Sequence, residues 1–469
     1  EDFTAKRVKQ DPVTIATVEW APIALPQTPT QPKRIGLLGK AEPTLQLASQ
    51  CIQKGHQVFG PAEIMTPHGD VVISQSSMLM LIEPSIEDIH YLSSRLEKVS
   101  TISVVTSHSH IGSTSRSLAS ELGIASNVYL TDPNHDFARV IEALEPPFSL
   151  LKFDDQWRRP ILKTVSLQRT PLTNYRSAWI IGGTGGIGAS LAEALAEQNI
   201  VVTLSGRRPH APQAISALAK EYQGRIHYRC ADITDENTLH ACHEEICSRQ
   251  GNPDLVVHSA GLIRDGRLST QEPSLIADIL APKREGTAHL SDILSSRHPT
   301  RILLISSLSA WVPSPGQALY SASNSLLNEA AQSWASKRHR VTSLSFGPWK
   351  DVGMVADPQV LAKIASTGLE ALSPAEGVDL ILRSIDSDAT DLLLTKLKVP
   401  LSKLEDALST PKATPGLQEA APASAPSPAE ALPLTTPVEE PRPGTVTETS
   451  DDQLQAVLRD VFGDRLLKD

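Results

Sequence analysis

Short apolar runs alternate with helix-length amphipathic stretches along most of the chain, most clearly in its middle. Ser177–Ile181 reads as a buried strand, followed at once by glycine-rich sequence and then by a helix reaching Gln198. Further apolar runs stand at Ile200–Leu204, Ile226–Cys230, Leu255–His258, Ile302–Ser306, Val341–Phe346 and Leu392–Thr395. Each is separated from the next by enough chain for a helix. Parallel strands need such crossovers, so the pattern predicts an α/β fold with a doubly wound parallel sheet covered on both faces. The first third repeats the pattern more faintly. Strands are expected at Arg34–Leu38, Val71–Ile73, Met78–Ile82 and Thr101–Thr106, with helices near Thr44–Lys54 and Ile86–Lys98. Its turn Gly36-Leu37-Leu38-Gly39-Lys40 has neither dinucleotide glycine spacing nor a phosphate-loop Lys-Ser/Thr pair. Two Rossmann-like halves follow from this reading, the first structural and the second catalytic.

The periodicity vanishes from Thr410 to Thr447, where Pro, Ala, Thr and Glu dominate and aromatics are absent. Such a segment buries too little surface to offset chain entropy and reads as a disordered, semi-stiff tether. Beyond it, Ser450–Gln453 resembles a helix start, with Leu454, Val457, Leu458, Val461 and Phe462 at helical spacing. The expected division is therefore 1–170, a truncated structural subdomain; 171–409, a catalytic subdomain; 410–447, a linker; and 448–469, the start of a following domain.

Composition narrows the function. At 469 residues and 40% apolar content the chain suits two or three domains with large cores. No apolar run approaches about 18 residues, which excludes a membrane-spanning helix of ordinary length. The polar start, without a signal peptide's apolar stretch or an initiator Met, reads as a cytoplasmic chain beginning mid-protein. A net charge of -10 without a basic tract argues against nucleic-acid binding. The four cysteines show no paired metal-ligand spacing, so no metal is expected, and they suit a reducing compartment. Cys242 and Cys247 read as packing residues on a helix.

The candidate chemistry is concentrated in the second half. Gly182-Gly183-Thr184-Gly185-Gly186-Ile187-Gly188 follows a strand and opens a helix, the context in which a pyrophosphate approaches bare backbone N–H groups. The next strand ends Ser205-Gly206-Arg207-Arg208, where an acidic residue would favour NAD and arginine favours a 2′-phosphate. NADPH is the expected cofactor. Asp232-Ile233 and Ser259-Ala260-Gly261, at later strand ends, fit the adenine and the cofactor's middle. Ketone reduction also needs a proton donor, and a tyrosine serves if a neighbouring ammonium acidifies it. Tyr320, Lys283, Ser307 and Asn324 supply phenol, ammonium, carbonyl-orienting hydroxyl and amide, with Ser306 and Ser309 as alternatives to Ser307. Asn324 lies one helical turn after Tyr320.

Together, the glycine turn, Ser307…Tyr320-Ser-Ala-Ser-Asn324 and Pro282-Lys283-Arg-Glu-Gly286 resemble the short-chain dehydrogenase/reductase superfamily, and more narrowly polyketide synthase ketoreductases. In that branch the lysine and asparagine exchange the places they hold in the wider superfamily. His258–Gly261, Pro315-Gly316-Gln317 and Phe346–Trp349 with Gly353-Met354 match it too. The resemblance implies NADPH-dependent reduction of a β-keto group on an acyl thioester delivered by an acyl carrier protein, among neighbouring synthase domains. It also implies substrate and stereochemical roles for Asp265, Gln317, Trp349 and Met354, with a mobile lid after Trp349. Asp265 matches the final aspartate of the B-type branch, which implies a D-configured hydroxyl. Trp311 stands one residue before the A-type tryptophan position, which here is Val312. Val18-Glu19-Trp20-Ala21-Pro22 and Phe153–Pro160 resemble the entry to and exit from the family's cofactor-free half. The terminal segment resembles a carrier protein's first helix. A redox-inactive structural or epimerising segment is the alternative, opposed by the intact Ser307, Tyr320 and Lys283.

Overall fold

The computed structural model describes residues 13–409 apart from 24–32, 40–46, 48–50, 52, 55, 97–98, 132–149, 155, 295–299, 313–314, 336–339 and 351–366. The expected linker, the terminal helix, the lid and Met354 lie outside the described residues.

β1 (Val13–Pro22) comes first, and β2 (Arg34–Gly39) then pairs in parallel with β3 (Gln57–Ala62). Leu47, Cys51 and Gln53 are helical. The helix α1 (Pro67–Gln75) corrects the strand expected at Val71–Ile73. Thr66 caps it by accepting from the Gly69 amide at 3.0 Å, and Pro67 opens it where no N–H is needed. Val72 and Ile73 then face the core while Val71 stays half exposed, so three adjacent apolar residues serve a helix. β4 (Met78–Ile82), α2 (Ile86–Leu92), β5 (Thr101–Thr106), α3 (Ser109–Leu122) and β6 (Ala125–Leu130) continue the winding. β7 (Leu150–Phe153) and β8 (Trp157–Thr164) close this half as a hairpin.

The second half runs β9 (Ser177–Ile181), α4 (Gly186–Ala196), β10 (Val201–Gly206), α5 (Gln213–Glu221), β11 (Ile226–Cys230), α6 (Glu236–Gln250) and β12 (Leu255–His258). It continues with α7 (Pro273–Leu294), β13 (Arg301–Ser307), α8 (Ala318–Trp334), β14 (Arg340–Phe346), β15 (Leu369–Glu370), α9 (Pro374–Ser384), β16 (Asp391–Leu397) and α10 (Leu401–Ser409). Seven of its strands lie in the order β11-β10-β9-β12-β13-β14-β16, all parallel, and the short β15 pairs antiparallel with β16. Their continuous apolar runs follow from burial on both faces. Ala178 and Ile180 enter the core under α4, whereas Trp179 and Ile181 enter the core under α7 and α8.

Both halves form one sheet because β1 joins them. Val13–Ala16 pairs antiparallel with β16 of the second half, and Ala16–Pro22 pairs antiparallel with β8 of the first. Above that seam α3 packs against α8. Its buried face is built from small residues, with Ser113 bonding Ser325 at 2.9 Å and Ser117 bonding Ser321 at 3.2 Å. Arg116, also buried, donates to the carbonyls of Trp311, Ala407 and Leu408 at 2.8, 3.3 and 2.8 Å. Desolvation pulls its guanidinium down to about 10, still charged at neutral pH. Among the described residues no helix is long and apolar enough to cross a membrane.

Asp391, at the start of β16, is a destabilising element of this core. Its Oδ2 accepts from Gln332 at 3.3 Å, but its Oδ1 is buried without a partner among the described residues. Burial pushes the carboxyl up to about 7. A carboxyl raised in the folded state binds its proton more tightly there than when unfolded. Its contribution is therefore present at acid pH and is lost as pH rises from the unfolded value toward about 7. Asp391→Asn is expected to raise the melting temperature at about pH 8 and to flatten that decline. Thermal melts across pH test this, and a variant melting below wild type at alkaline pH contradicts it.

Candidate active site

The cofactor turn begins where β9 ends. Gly182 adopts φ +76°, and its N–H donates to the Ser205 carbonyl at 2.9 Å. A Cβ at Gly182 would collide with Ala260, and one at Gly188 would collide with Gly183. The turn can close on the loop after β12 and carry α4 on its back only because both positions lack a side chain. Gly185 caps α4 without a side-chain hydrogen bond, and the space above it is open. A helix start of this kind, with uncapped amides and a bare backbone, fits a pyrophosphate. Gly183, Thr184, Gly186 and Ile187 complete the turn.

Ser205 itself is fully buried. Its hydroxyl accepts from the Trp179 indole at 3.0 Å, so its side chain supports the turn from below. Arg207 and Arg208 are exposed at the end of β10, and neither forms an ion pair among the described residues. The Tyr228 hydroxyl donates to the carbonyls of Gly206 and Arg208 and fixes that loop. Asp232 accepts the Thr234 amide and hydroxyl on Oδ1 at 2.9 and 2.8 Å. Ile233 is buried, and a Cβ at Gly286 would meet it at 2.8 Å. Ser259 donates to the Ile181 carbonyl at 3.0 Å, tying the ends of β9 and β12.

Four of the expected residues converge beside this turn. Lys283, on α7, is buried, and its Nζ donates to Asn324 Oδ1 at 2.6 Å. The same Nζ lies 5.7 Å from the centre of the Tyr320 ring. Asn324 Nδ2 donates back to the Tyr320 carbonyl at 2.8 Å, and the Ser307 and Asn324 side chains favour the ionised form of the Tyr320 phenol. The serine alternatives separate here. Ser306 donates to the Asn324 carbonyl and locks α8 to β13, whereas the Ser309 hydroxyl is buried without a partner among the described residues. Ser307, at the strand end, is the serine whose hydroxyl bears on the phenol, opposing the rise in its pKa.

The expected electrostatics need correction. Burial pushes the Tyr320 phenol above its usual value. The hydrogen bonds with Ser307 and Asn324 oppose this, and the Asp265 carboxylate adds to the rise. Desolvation pulls the Lys283 amine down to about 7, and the acidification expected of it does not prevail over the burial of the phenol. The phenol therefore stays protonated and available as a donor.

His258 is a member of the site that the sequence reading treated only as a strand end. It is fully buried, and desolvation, reinforced by the Lys283 charge, pulls it down to about 3, so it is neutral. Its Nδ1 accepts from the Ala260 amide at 3.3 Å, so Nε2 carries the hydrogen and donates to the Pro282 carbonyl at 3.1 Å. The imidazole thus ties the cofactor loop to the residue preceding Lys283. A histidine closing an apolar strand, twenty-odd residues before a helix-interior proline, was the available signal.

The remaining expected residues divide. Gln317 donates to both Asp265 oxygens at 3.2 and 3.0 Å at the mouth of the site. Trp349 corrects its expected substrate-facing role: it is buried, meets Phe346 edge-on at 5.2 Å and packs flat against Gly377 of α9. Trp311 is likewise buried, with its indole donating to Ser345 at 3.2 Å.

Residues 177–351 match the family described as KR domain. The chain carries a polyketide-synthase-type ketoreductase domain. It is 30% identical over 227 residues to the polyketide synthase PksN of Bacillus subtilis (strain 168), a match covering 46% of this chain and 4% of that protein. A naringenin synthase of Pestalotiopsis fici is 28% identical over 243 residues, covering 50% and 9%. The chain therefore spans less than a tenth of these two relatives. Among solved structures, the ketoreductase PlmKR1 of Streptomyces sp. HK803 aligns with TM-score 0.69 at 20% identity, over 84% of this chain and 96% of that one. An A-type ketoreductase from a modular polyketide synthase gives 0.72 at 18% identity, over 84% and 95%. These structural likenesses establish the fold, and the KR domain is an oxidoreductase of the Rossmann, nicotinamide-using kind.

One approach inside the ketoreductase site is especially close. A Cβ at Gly261 would stand 2.9 Å from Lys283 Cε. Gly261→Val is expected to displace the amine from Asn324 and to lower ketoreductase turnover by more than about tenfold. Steady-state rates alongside thermal melts check this, and unchanged turnover contradicts it.

Proposed function

We propose that this domain reduces the β-keto group of a carrier-bound polyketide acyl thioester to a β-hydroxyl, with NADPH as reductant and B-type entry giving a D-configured product. The observation that carries the reading is the Lys283–Asn324–Tyr320–Ser307 chain beside a bare-backbone helix start. The residues that would hold the cofactor are Gly182–Gly188 for the pyrophosphate, Arg207 and Arg208 for the 2′-phosphate, Asp232 for the adenine, and Ser259–Gly261 for the middle. The hydride is what NADPH supplies when bound there.

The chain's own residues supply the rest. Ser307 and Tyr320 hydrogen-bond the ketone oxygen and set which carbon face is presented. As that oxygen gains electron density it becomes far more basic than a phenolate, so a phenol raised by burial still transfers its proton. The Tyr320 O–H bond breaks and the product O–H bond forms. Lys283 and Asn324 then return a proton from water to the phenolate, and the protonated amine stabilises it meanwhile. Asp265 and Gln317, joined at the mouth, are proposed to set the entry side. The burial of Trp311 in the core beside Ser345 supports B-type over A-type entry. The division at 170, 409 and 447 and the carrier partner belong to the same proposal. The polyketide synthase relatives support it.

Tyr320→Phe is expected to lower reduction of a β-ketoacyl thioester by about 100-fold or more while leaving NADPH binding intact. Equal activity removes the assignment, and chiral analysis of the product tests the D-configuration. Arg207→Ala combined with Arg208→Ala is expected to raise the KM for NADPH about tenfold or more with little change for NADH. Parallel loss with both cofactors contradicts the 2′-phosphate role.

A further inference from the structure

We propose that His108, His110 and Glu329 form a binding site for a divalent transition-metal cation of the zinc class. The site lies outside the reductase cleft, at the carboxyl edge of the first half's sheet. His108 precedes the first turn of α3 and His110 lies within it, while Glu329 projects from α8, the helix that bears Tyr320 and Asn324. One ligand atom from each residue lies within 4.8 Å of the other two. His110 Nδ1 stands 2.9 and 3.1 Å from the two Glu329 oxygens. Tetrahedral zinc with bonds of about 2.0–2.2 Å needs ligand–ligand edges of about 3.3–3.6 Å, so this edge is close to the required length. The set, two imidazoles and a carboxylate, is one that zinc accepts with a fourth position left open.

Further features suit a cation. The His108 ring is exposed, makes no hydrogen bond among the described residues, and lies 5.3 Å from the His110 ring, so it is free to swing in. Glu329 is half-buried against His110 and Ser109. Only Oε1 receives Ser109 Oγ and the His110 amide, at 2.8 and 2.7 Å, so Oε2 has a lone pair to give. The loop is also braced. Glu83, held at φ +47°, accepts from Thr106 Oγ1 and the Ser107 amide, and the same Thr106 oxygen accepts from the His108 amide. A cavity of about 450 Å³ lined by Ser107, Ser109 and Glu329 opens beside the cluster and leaves room for the fourth ligand. An ion here would join α3 to α8 and stabilise the packing of one half on the other.

The test titrates the untagged chain with zinc, and with cobalt for its visible absorption, after treatment with chelator. One saturable equivalent is expected, with a tetrahedral cobalt spectrum and a higher melting temperature in zinc. His108→Asn leaves the Glu329 contacts to Ser109 and His110 in place, so it is expected to melt like wild type in chelator. Its affinity should fall at least about tenfold, and the zinc-dependent rise in melting should disappear. Glu329→Gln, which keeps an acceptor for the same donors, should behave alike. No saturable equivalent, or binding retained by both variants through other surface histidines, overturns the site.

Discussion

A buried amine held at 2.6 Å from a buried amide oxygen is the contact around which the reductase site is arranged. Lys283 is buried and Tyr320 half-buried, so the polar groups of both depend on partners within the protein. Asn324 serves both, accepting from the lysine and bonding the tyrosine. Everything nearby keeps that asparagine and that lysine in reach. Ser306 pins the Asn324 backbone to β13, Gly261 leaves room for the lysine stem, and neutral His258 holds the carbonyl of Pro282. Pro282 has no N–H, so it weakens the α7 ladder at the point where the lysine must be aimed.

The same desolvation changes the electrostatic picture. A solvated ammonium beside a phenol would lower the phenol's pKa, but here the amine is pulled down by burial as the phenol is pushed up. The amine falls from its ordinary 10.5 to about 7 while the phenol rises from its ordinary 10, so the two values move apart. The phenol therefore keeps its proton until an oxygen more basic than a phenolate forms beside it.

The first half contributes shape. Its turn lacks the glycine spacing that lets a dinucleotide approach, yet its α3 lies along α8 with serine hydroxyls facing serine hydroxyls. Small side chains permit the close approach, and the buried Arg116 fastens α3 to carbonyls of Trp311 and α10. The helix carrying Tyr320 is thus supported from the side remote from its own sheet. The His108, His110 and Glu329 cluster lies on that same interface.

Several features of this molecule were readable along the chain. Strands β9, β10, β12, β13, β14 and β16 carry apolar runs because both faces are covered, and buried strands of that kind announce themselves. The glycine turn and the Ser307, Tyr320, Lys283 and Asn324 set were legible because backbone approach and proton chemistry restrict which residue types serve. Other elements left weaker traces. β3 includes Gly60-Pro61, β8 carries Arg158, Arg159 and Pro160, and Val71–Ile73 reads equally as strand or helix until Thr66 and Pro67 cap it. What no linear pattern contains is pairing across distance. Only the folded chain could decide that β1 joins two halves, that Trp349 turns into the core, and that His258 reaches Pro282. The same holds for the reversal of the expected lysine effect, because burial arises from packing among segments far apart in sequence, and pKa values follow burial.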